Sequence, residues 1–250
     1  MELDLISISL LVIVGTLSGF LNIMAGGGST FTLPLLIFLG MDTAMANGTN
    51  RVGILIQNVS GVASFHRLEY SEFTESLKLS LWTLPGAIFG SFWAITITDE
   101  VFETILGVVI LGIIVTMFVS PTGGIKHESH TPTKSRLIYP AMLFTGLYGG
   151  FVQVGVGFVL MASLYHILKL TLVRVNMHKV FIVLIYTVPV IVVFLVAGKI
   201  DWIAGLILGT GNAVGAWWSA SVSVKKGDKV IRVVMAFAMA LISLKLIGVY

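Results

Sequence analysis

Residues 19–36 read Gly19-Phe-Leu-Asn-Ile-Met-Ala-Gly-Gly-Gly-Ser-Thr-Phe-Thr-Leu-Pro-Leu-Leu36. An apolar run that begins near residue 5 stops at Gly26-Gly27-Gly28, passes Ser29 and Thr30, and resumes as a second run over 30–40. A membrane crossing needs roughly 20 residues at 1.5 Å rise each, so the second run is too short to be one. An interrupted helix at membrane depth is tolerated only where protein or a cavity surrounds the opened backbone. The same arrangement recurs later, where Val154-Gly155-Val156-Gly157 precedes a short apolar run over 158–168.

The composition agrees. Only 11% of the 250 residues are charged, 56% are hydrophobic, and mean hydropathy is +1.00. A soluble domain carries roughly 25% charge, so a soluble enzyme, a disordered chain and a coiled coil are excluded. With no Cys, a disulfide-stapled secreted scaffold is excluded too. The net charge of +3 brings no basic patch with interleaved aromatics; Lys225-Lys226-Gly227-Asp228-Lys229 is short and interrupted. Nucleic acid is therefore not a partner, whereas the lipid bilayer is. Glu2 and Asp4 stand where a signal peptide has its basic region, so no cleaved leader is read.

Six further runs are long enough to span: 44–65, 77–97, 101–119, 174–197, 201–222 and 229–248, with a run over 137–153 ahead of the second break. The ten runs form two sets of five. They divide the chain into an N-terminal membrane repeat (1–120), a polar cytoplasmic linker (121–136) and a C-terminal membrane repeat (137–250). The linker contains two Pro, two Gly, Lys126, Glu128, Lys134 and Arg136. Three motifs match between the halves in the same order. Gly19-Phe-Leu-Asn22 resembles Gly150-Phe-Val-Gln153, and Asn50-Arg-Val-Gly-Ile-Leu-Ile56 resembles His178-Lys-Val-Phe-Ile-Val-Leu184. Gly86-Ala-Ile-Phe-Gly-Ser-Phe-Trp93 resembles Gly211-Asn-Ala-Val-Gly-Ala-Trp-Trp218.

If each broken pair is a hairpin that enters and leaves on one side, Arg67, Lys78, Lys126, Lys134, Arg136, Lys169, Arg174, Lys225, Lys226, Lys229 and Arg232 share a compartment. Only Lys199 and Lys245 fall opposite. Positive residues favour the cytoplasm, so both termini are expected outside. Two full crossings in place of a hairpin give the same parity. Each half has three simple spans, an odd number, so the halves are inverted. The expected fold class is all-α integral membrane: two inverted repeats, each a broken helical hairpin plus three transmembrane helices. In this plan, substrates sit near the midplane where the breaks meet.

Arg51 and Lys179 stand inside spans. A buried cation requires a partner or a substrate, and the carboxylates Asp42, Asp99, Glu100, Glu103 and Asp201 all fall near span ends. Two central cations without acids point to an anionic substrate; the alternative for Arg51 is that it snorkels to the surface or bonds broken-helix carbonyls. Gly27, Gly28, Ser29 and Thr30 open the short helix, and its free N–H groups could hold an anion. Asn22, Asn47 and Asn50 gather around the first break and Arg51, and Gln153, Asn176 and His178 around the second. Amides can donate to oxyanions without adding charge; they also glue helices together. Gln57-Asn58 and Asn212 fall inside spans as well. Gly86-x-x-x-Gly90 and Gly211-x-x-x-Gly215 read as close-packing faces, Pro85 and Pro189 as kinks, and the five Trp mostly as interface anchors. No zinc spacing, hydrolytic triad or nucleotide-binding motif is present, so no metal, no cofactor and no enzymatic activity are expected.

The stretch Gly19 to Leu36, followed by Ala46-Asn-Gly-Thr-Asn-Arg51, resembles the N-terminal signature of the sulfite exporter TauE/SafE family of permeases. Gly150-Phe-Val-Gln153, Asn176-Met-His-Lys179 and Gly211-Asn-Ala-Val-Gly215 resemble that family's second repeat. The resemblance implies a multi-pass permease of the bacterial or archaeal plasma membrane that carries sulfite, organosulfonates or related anions. The second break, Gly155-Val-Gly-Phe158, is poorer in glycine and hydroxyls than the first. The expectation is a secondary transporter working by alternating access, with substrate bound by Asn22, Gly27, Gly28, Ser29, Thr30, Asn47, Asn50, Arg51, Gln153, Asn176, His178 and Lys179. An anion channel and a non-transporting assembly subunit stay open as alternatives. So do the coupling ion and a homo-oligomeric state.

Overall fold

The computed structural model describes residues 4–119 and 134–246. Among them there are nine helices and no strand: α1 (Leu5–Met24), α2 (Ser29–Phe38), α3 (Thr43–Arg67), α4 (Phe73–Thr96), α5 (Asp99–Val119), α6 (Ile138–Phe151), α7 (Val156–Leu168), α8 (Leu172–Val196) and α9 (Trp202–Leu246). Each run read from the sequence is helical over its described residues. The last two are joined into α9, which bends at Gly227 (φ 69°, ψ −167°). Of the polar linker, only residues 134–136 lie within the described part. By length and composition α1, α4 and α8 are long and apolar enough to cross a membrane, and the chain is an all-α membrane protein.

Local chemistry sets the helix ends. Asp4 and Asp42 cap α1 and α3, accepting from Ser7 N and Met45 N at 2.8 Å, which satisfies N–H groups left free at a helix start. After α1 the chain reverses through Gly26, whose φ of +90° favours a residue without Cβ. The second reversal uses Gly155 (φ 72°) and, less usually, Gln153 (φ 67°). A glutamine in the left-handed region costs roughly 1 kcal/mol; here Gln153 is held by bonds from Arg51 and Tyr186.

Both breaks are hairpins. Asn22, near the end of α1, bonds the Ser29 hydroxyl at 3.5 Å, so α2 doubles back along α1. One end of the bundle gathers the starts of α3, α5 and α9: Thr43 donates to Asp99 (2.5 Å), Lys199 pairs with Asp42 (3.4 Å), and Asp201 N donates to Thr49 (2.9 Å). The opposite end joins the start of α4 to that of α8 through Glu72 and Arg174, and the α8 start to Asp228 through Leu172 N and Val173 N. Helix α1 runs parallel to α9 and begins at the first end, where α3 also begins. Helix α6 runs parallel to α4 and begins at the second, where α8 also begins. At about 15 and 20 Å, α2 and α7 are too short to be the full crossings that charge parity left open.

The long seams pack helix backbones together at matched positions. A Cβ on Gly90 in α4 would fall 2.1 Å from the Leu147 carbonyl oxygen of α6, and one on Gly215 in α9 2.0 Å from that of Thr16 in α1. Small residues let backbones approach this closely. Trp93 stacks on Phe151 at the end of α6 (4.8 Å), and Trp218 lies 4.9 Å from Phe20 near the end of α1. The contacts of these two tryptophans are therefore at the breaks, and not only at the bilayer interface where the sequence reading put most of them.

Candidate functional site

The hairpins meet backbone to backbone: a Cβ on Gly26 would fall 2.4 Å from the Gly157 carbonyl carbon. Beside that contact is a cavity of about 10 Å³, lined by Asn22, Gln57, Asn58, Gln153 and Lys179 together with Ile23, Val156, Gly157, Val180 and Val183. This is room for about one water molecule. Gln57 and Asn58 stand near the middle of the 25-residue α3, so the cavity lies at mid-depth.

Each buried cation holds the end of the broken helix in the other half. Arg51, fully buried, donates from Nη1 to the Gly149 carbonyl (2.5 Å) and Gln153 Oε1 (2.6 Å), and from Nη2 to the Gly150 carbonyl (2.9 Å). Asn47, one turn earlier, donates to the Phe151 carbonyl at 2.8 Å. Lys179 donates to the Ile23 carbonyl at the end of α1 (2.8 Å) and to Asn176 Oδ1 (2.8 Å), and lies 3.5 Å from the Met161 sulfur. Asn176 reaches the Met24 carbonyl at 3.4 Å. The last carbonyls of a helix lack partners and carry its negative dipole end. They compensate the cations that no carboxylate reaches; for Arg51 this is one of the two alternatives the sequence left open, and it does not snorkel to the surface. Lys179 makes its bonds while facing the cavity. Arg51 is engaged behind Gln153.

Of the other residues singled out from sequence, Asn22 and Gln153 line the cavity. Asn22 also donates to Gln57 Oε1 at 3.2 Å. Ser29 supports Asn22 from behind, Thr30 donates to the Gly27 carbonyl at 2.6 Å, and Gly28 packs on Ser18 and Asn22. Asn50 is buried with neither end of its amide bonded to the protein, and Asn212 is the same. The structure does not bring His178 to the cavity: its ring turns toward Ser76 and Glu72. His166, on the exposed side of α7, is edge-on to Tyr165. Among the described residues no cluster of three or more His, Asp or Glu is arranged to hold a metal ion.

Two parts of the site were not assigned to it from sequence. Gln57 and Asn58 carry a readable signal, since two adjacent amides in the middle of an apolar helix need a polar neighbour. Tyr186 donates to Gln153 Oε1 at 2.9 Å, and Tyr148 donates to the Val154 carbonyl; a tyrosine in an apolar run gives no such signal. At the second end Arg174 holds the Glu72 carboxyl below its ordinary range, chiefly by hydrogen bonding to it.

No solved structure matches the chain. Among curated proteins it is 27% identical over 244 residues to a probable membrane transporter protein of Haemophilus influenzae, covering 96% of this chain and 95% of the relative. It is 24% identical over 243 residues to the probable membrane transporter protein ORF9 of a Sinorhizobium species (96% and 92%). It is 23% identical over 240 residues to the probable membrane transporter protein YfcA of Escherichia coli (96% and 89%). The profile of the sulfite exporter TauE/SafE family matches residues 11–246, and the chain, with its paired hairpins and the cations that cap them, belongs to that family.

Proposed function

We propose that this protein is a secondary transporter that carries a small anion, sulfite or an organosulfur anion, across the plasma membrane by alternating access. The observation that carries the reading is Lys179: a buried ammonium group facing a small cavity with amide-bearing walls, where two hairpin tips touch. Gln57 and Gln153 bring amide N–H groups to the other walls, and Asn58 keeps a second N–H beyond its bond to the Ile54 carbonyl. Asn22 holds Gln57 in place, which completes a suitable set for an oxyanion. Gly27, Gly28, Ser29 and Thr30 shape one tip. Arg51 and Asn47 brace the second, and Asn176 orients Lys179.

The two halves are inverted repeats in this reading, 1–120 and 137–250, with the binding site between them. The matched motifs and matched seams support it: Gly90 on Leu147 answers Gly215 on Thr16, and Arg51 on α6 answers Lys179 on α1. Moving one half against the other exposes the cavity to each side in turn. The segregation of Arg67, Lys169, Arg174, Lys225 and Lys226 to one end favours that end as cytoplasmic, leaving both termini outside. A cavity of about one water's volume, too small to pass an anion, favours a transporter over a channel.

The test is uptake into proteoliposomes of a panel comprising sulfite, sulfate and small sulfonates. Saturable flux of at least one sulfur anion is expected, falling roughly tenfold or more in Lys179→Gln, about the value of one buried charge-assisted hydrogen bond. Flux that never saturates would indicate a channel, and no anion flux would reject the reading.

A further inference from the structure

Asn47 and Arg51 each leave one buried polar atom unbonded while bonding through others. Asn50 of α3 and Asn212 of α9 differ from them. Both are buried, and neither end of either amide meets a hydrogen-bond partner among the described residues. A carboxamide shut away from water without a partner costs stability, so such a group calls for a reason. The two lie together. Gly53 stands one turn after Asn50, and a Cβ there would fall 2.9 Å from Asn212 Nδ2. Residues three apart on a helix have Cβ positions about 5–6 Å apart, so one small hydrated ion spans both amides. Gln57 of the cavity wall follows Asn50 by two turns and shares its face of α3, with Asn50 about 10 Å nearer the first end.

Packing does not require these amides. Asn212 sets its backbone carbonyl against Gly19, where a Cβ would fall 2.2 Å from the oxygen; in the matched motif Ala87 sets its carbonyl against Gly150 at 2.1 Å. Alanine therefore fills in one half the seat that asparagine fills in the other. Asn50 corresponds in the same way to His178, whose ring lies 2.8 Å from the Ser76 hydroxyl. The matched position is bonded, and Asn50 is not. Gly53, between Asn50 and Gln57 on the same face, leaves the space that the Asn212 amide enters.

We propose that Asn50 and Asn212 form a second anion-binding station, on a polar path between the cavity and the first end. The two Nδ2 groups donate to the oxyanion, and its hydration water donates to the two Oδ1 atoms. With no charge of its own, the station holds the anion less firmly than Lys179 and lets it pass on. The identity of the cargo rests on the function proposed above; the path does not.

Because the chain has no cysteine, Asn212→Cys places a unique thiol at the station. An impermeant anionic sulfonate, 2-sulfonatoethyl methanethiosulfonate, is applied to membrane vesicles from each face in turn. The first end is the face from which Asp99→Cys labels. Modification of the station thiol is expected to be about tenfold faster or more from that face, as one-sided opening requires. Asn50→Leu and Asn212→Ala are expected to melt no lower than the wild type, since an unbonded buried amide adds no stability. Each should slow sulfur-anion flux in proteoliposomes about fivefold, the weight of one neutral hydrogen bond. A thiol that fails to react, or reacts equally from both faces, overturns the proposal. A lower melting temperature in either variant overturns it too, because the amides would then be structural, as does unchanged flux in both. Should Asn212→Cys not fold, Asn50→Cys serves as the reporter under the same criterion. Absent wild-type flux with one-sided labelling rejects the anion function and leaves the path. Normal flux with an unreactive thiol rejects the station alone.

Discussion

Arg51 and Lys179 each bond the last carbonyls of a broken helix but are not interchangeable in chemistry. Arginine presents a planar fork, which lets Arg51 reach two successive α6 carbonyls and Gln153 at once. The compact lysine ammonium needs only the Ile23 carbonyl and Asn176, and keeps one side toward the cavity. Removing a buried charge from such a set leaves its acceptors without partners, which costs about 3 kcal/mol or more. Arg51→Met is therefore expected to lower thermal stability in detergent by about that amount. Arg51→Lys, which keeps the charge and loses the fork, should cost roughly half. An Arg51→Met protein that melts with the wild type would show that α6 does not depend on the clamp.

At the level of elements, the bundle is set by how closely helix backbones approach. On α4, Gly90 has no space for a methyl group against Leu147, whereas on α5 a Cβ at Gly107 meets nothing within 4 Å. Gly90→Ala is expected to force α4 and α6 apart and cost about 3 kcal/mol, in the upper range for overpacking. Gly107→Ala should be neutral or stabilising by up to about 1 kcal/mol through helix propensity. Size-exclusion profiles and melting temperatures of the two variants check this. Equal behaviour would mean that the seam is looser than described. The hairpins obey the same constraint, since Gly26 and Gly157 touch where any side chain would separate the tips.

For the whole molecule, the charge pattern becomes a statement about orientation. Lys199 is accompanied at the first end by Asp42, Asp99 and Asp201, while the second end carries Arg67, Arg174 and the Lys225-Lys226 pair. Single cysteines at Asp99 and Glu69 should therefore differ when intact cells meet an impermeant maleimide. Asp99→Cys is expected to label directly, and Glu69→Cys only after permeabilisation. The reverse pattern would invert the orientation and leave the fold unchanged.

Much of this molecule is local and therefore legible in its sequence. Apolar length gave the spans, the glycines of 26–28 and 155–157 gave the breaks, and scarce charge identified the bilayer as solvent. Hydropathy and backbone freedom act within a few residues, so they can be read along the chain. Partnership cannot be read so directly. That the buried cations rest on helix-end carbonyls rather than facing a substrate alone depends on residues about 100 to 150 positions away. The same holds for His178, which sequence grouped with the second break and the fold turns to Glu72, 106 positions earlier. Sequence alone determined a chain of broken and whole membrane helices with two cations among them. Tertiary packing decided what each cation touches, because a side chain's electrostatic partners are set by which helices lie side by side.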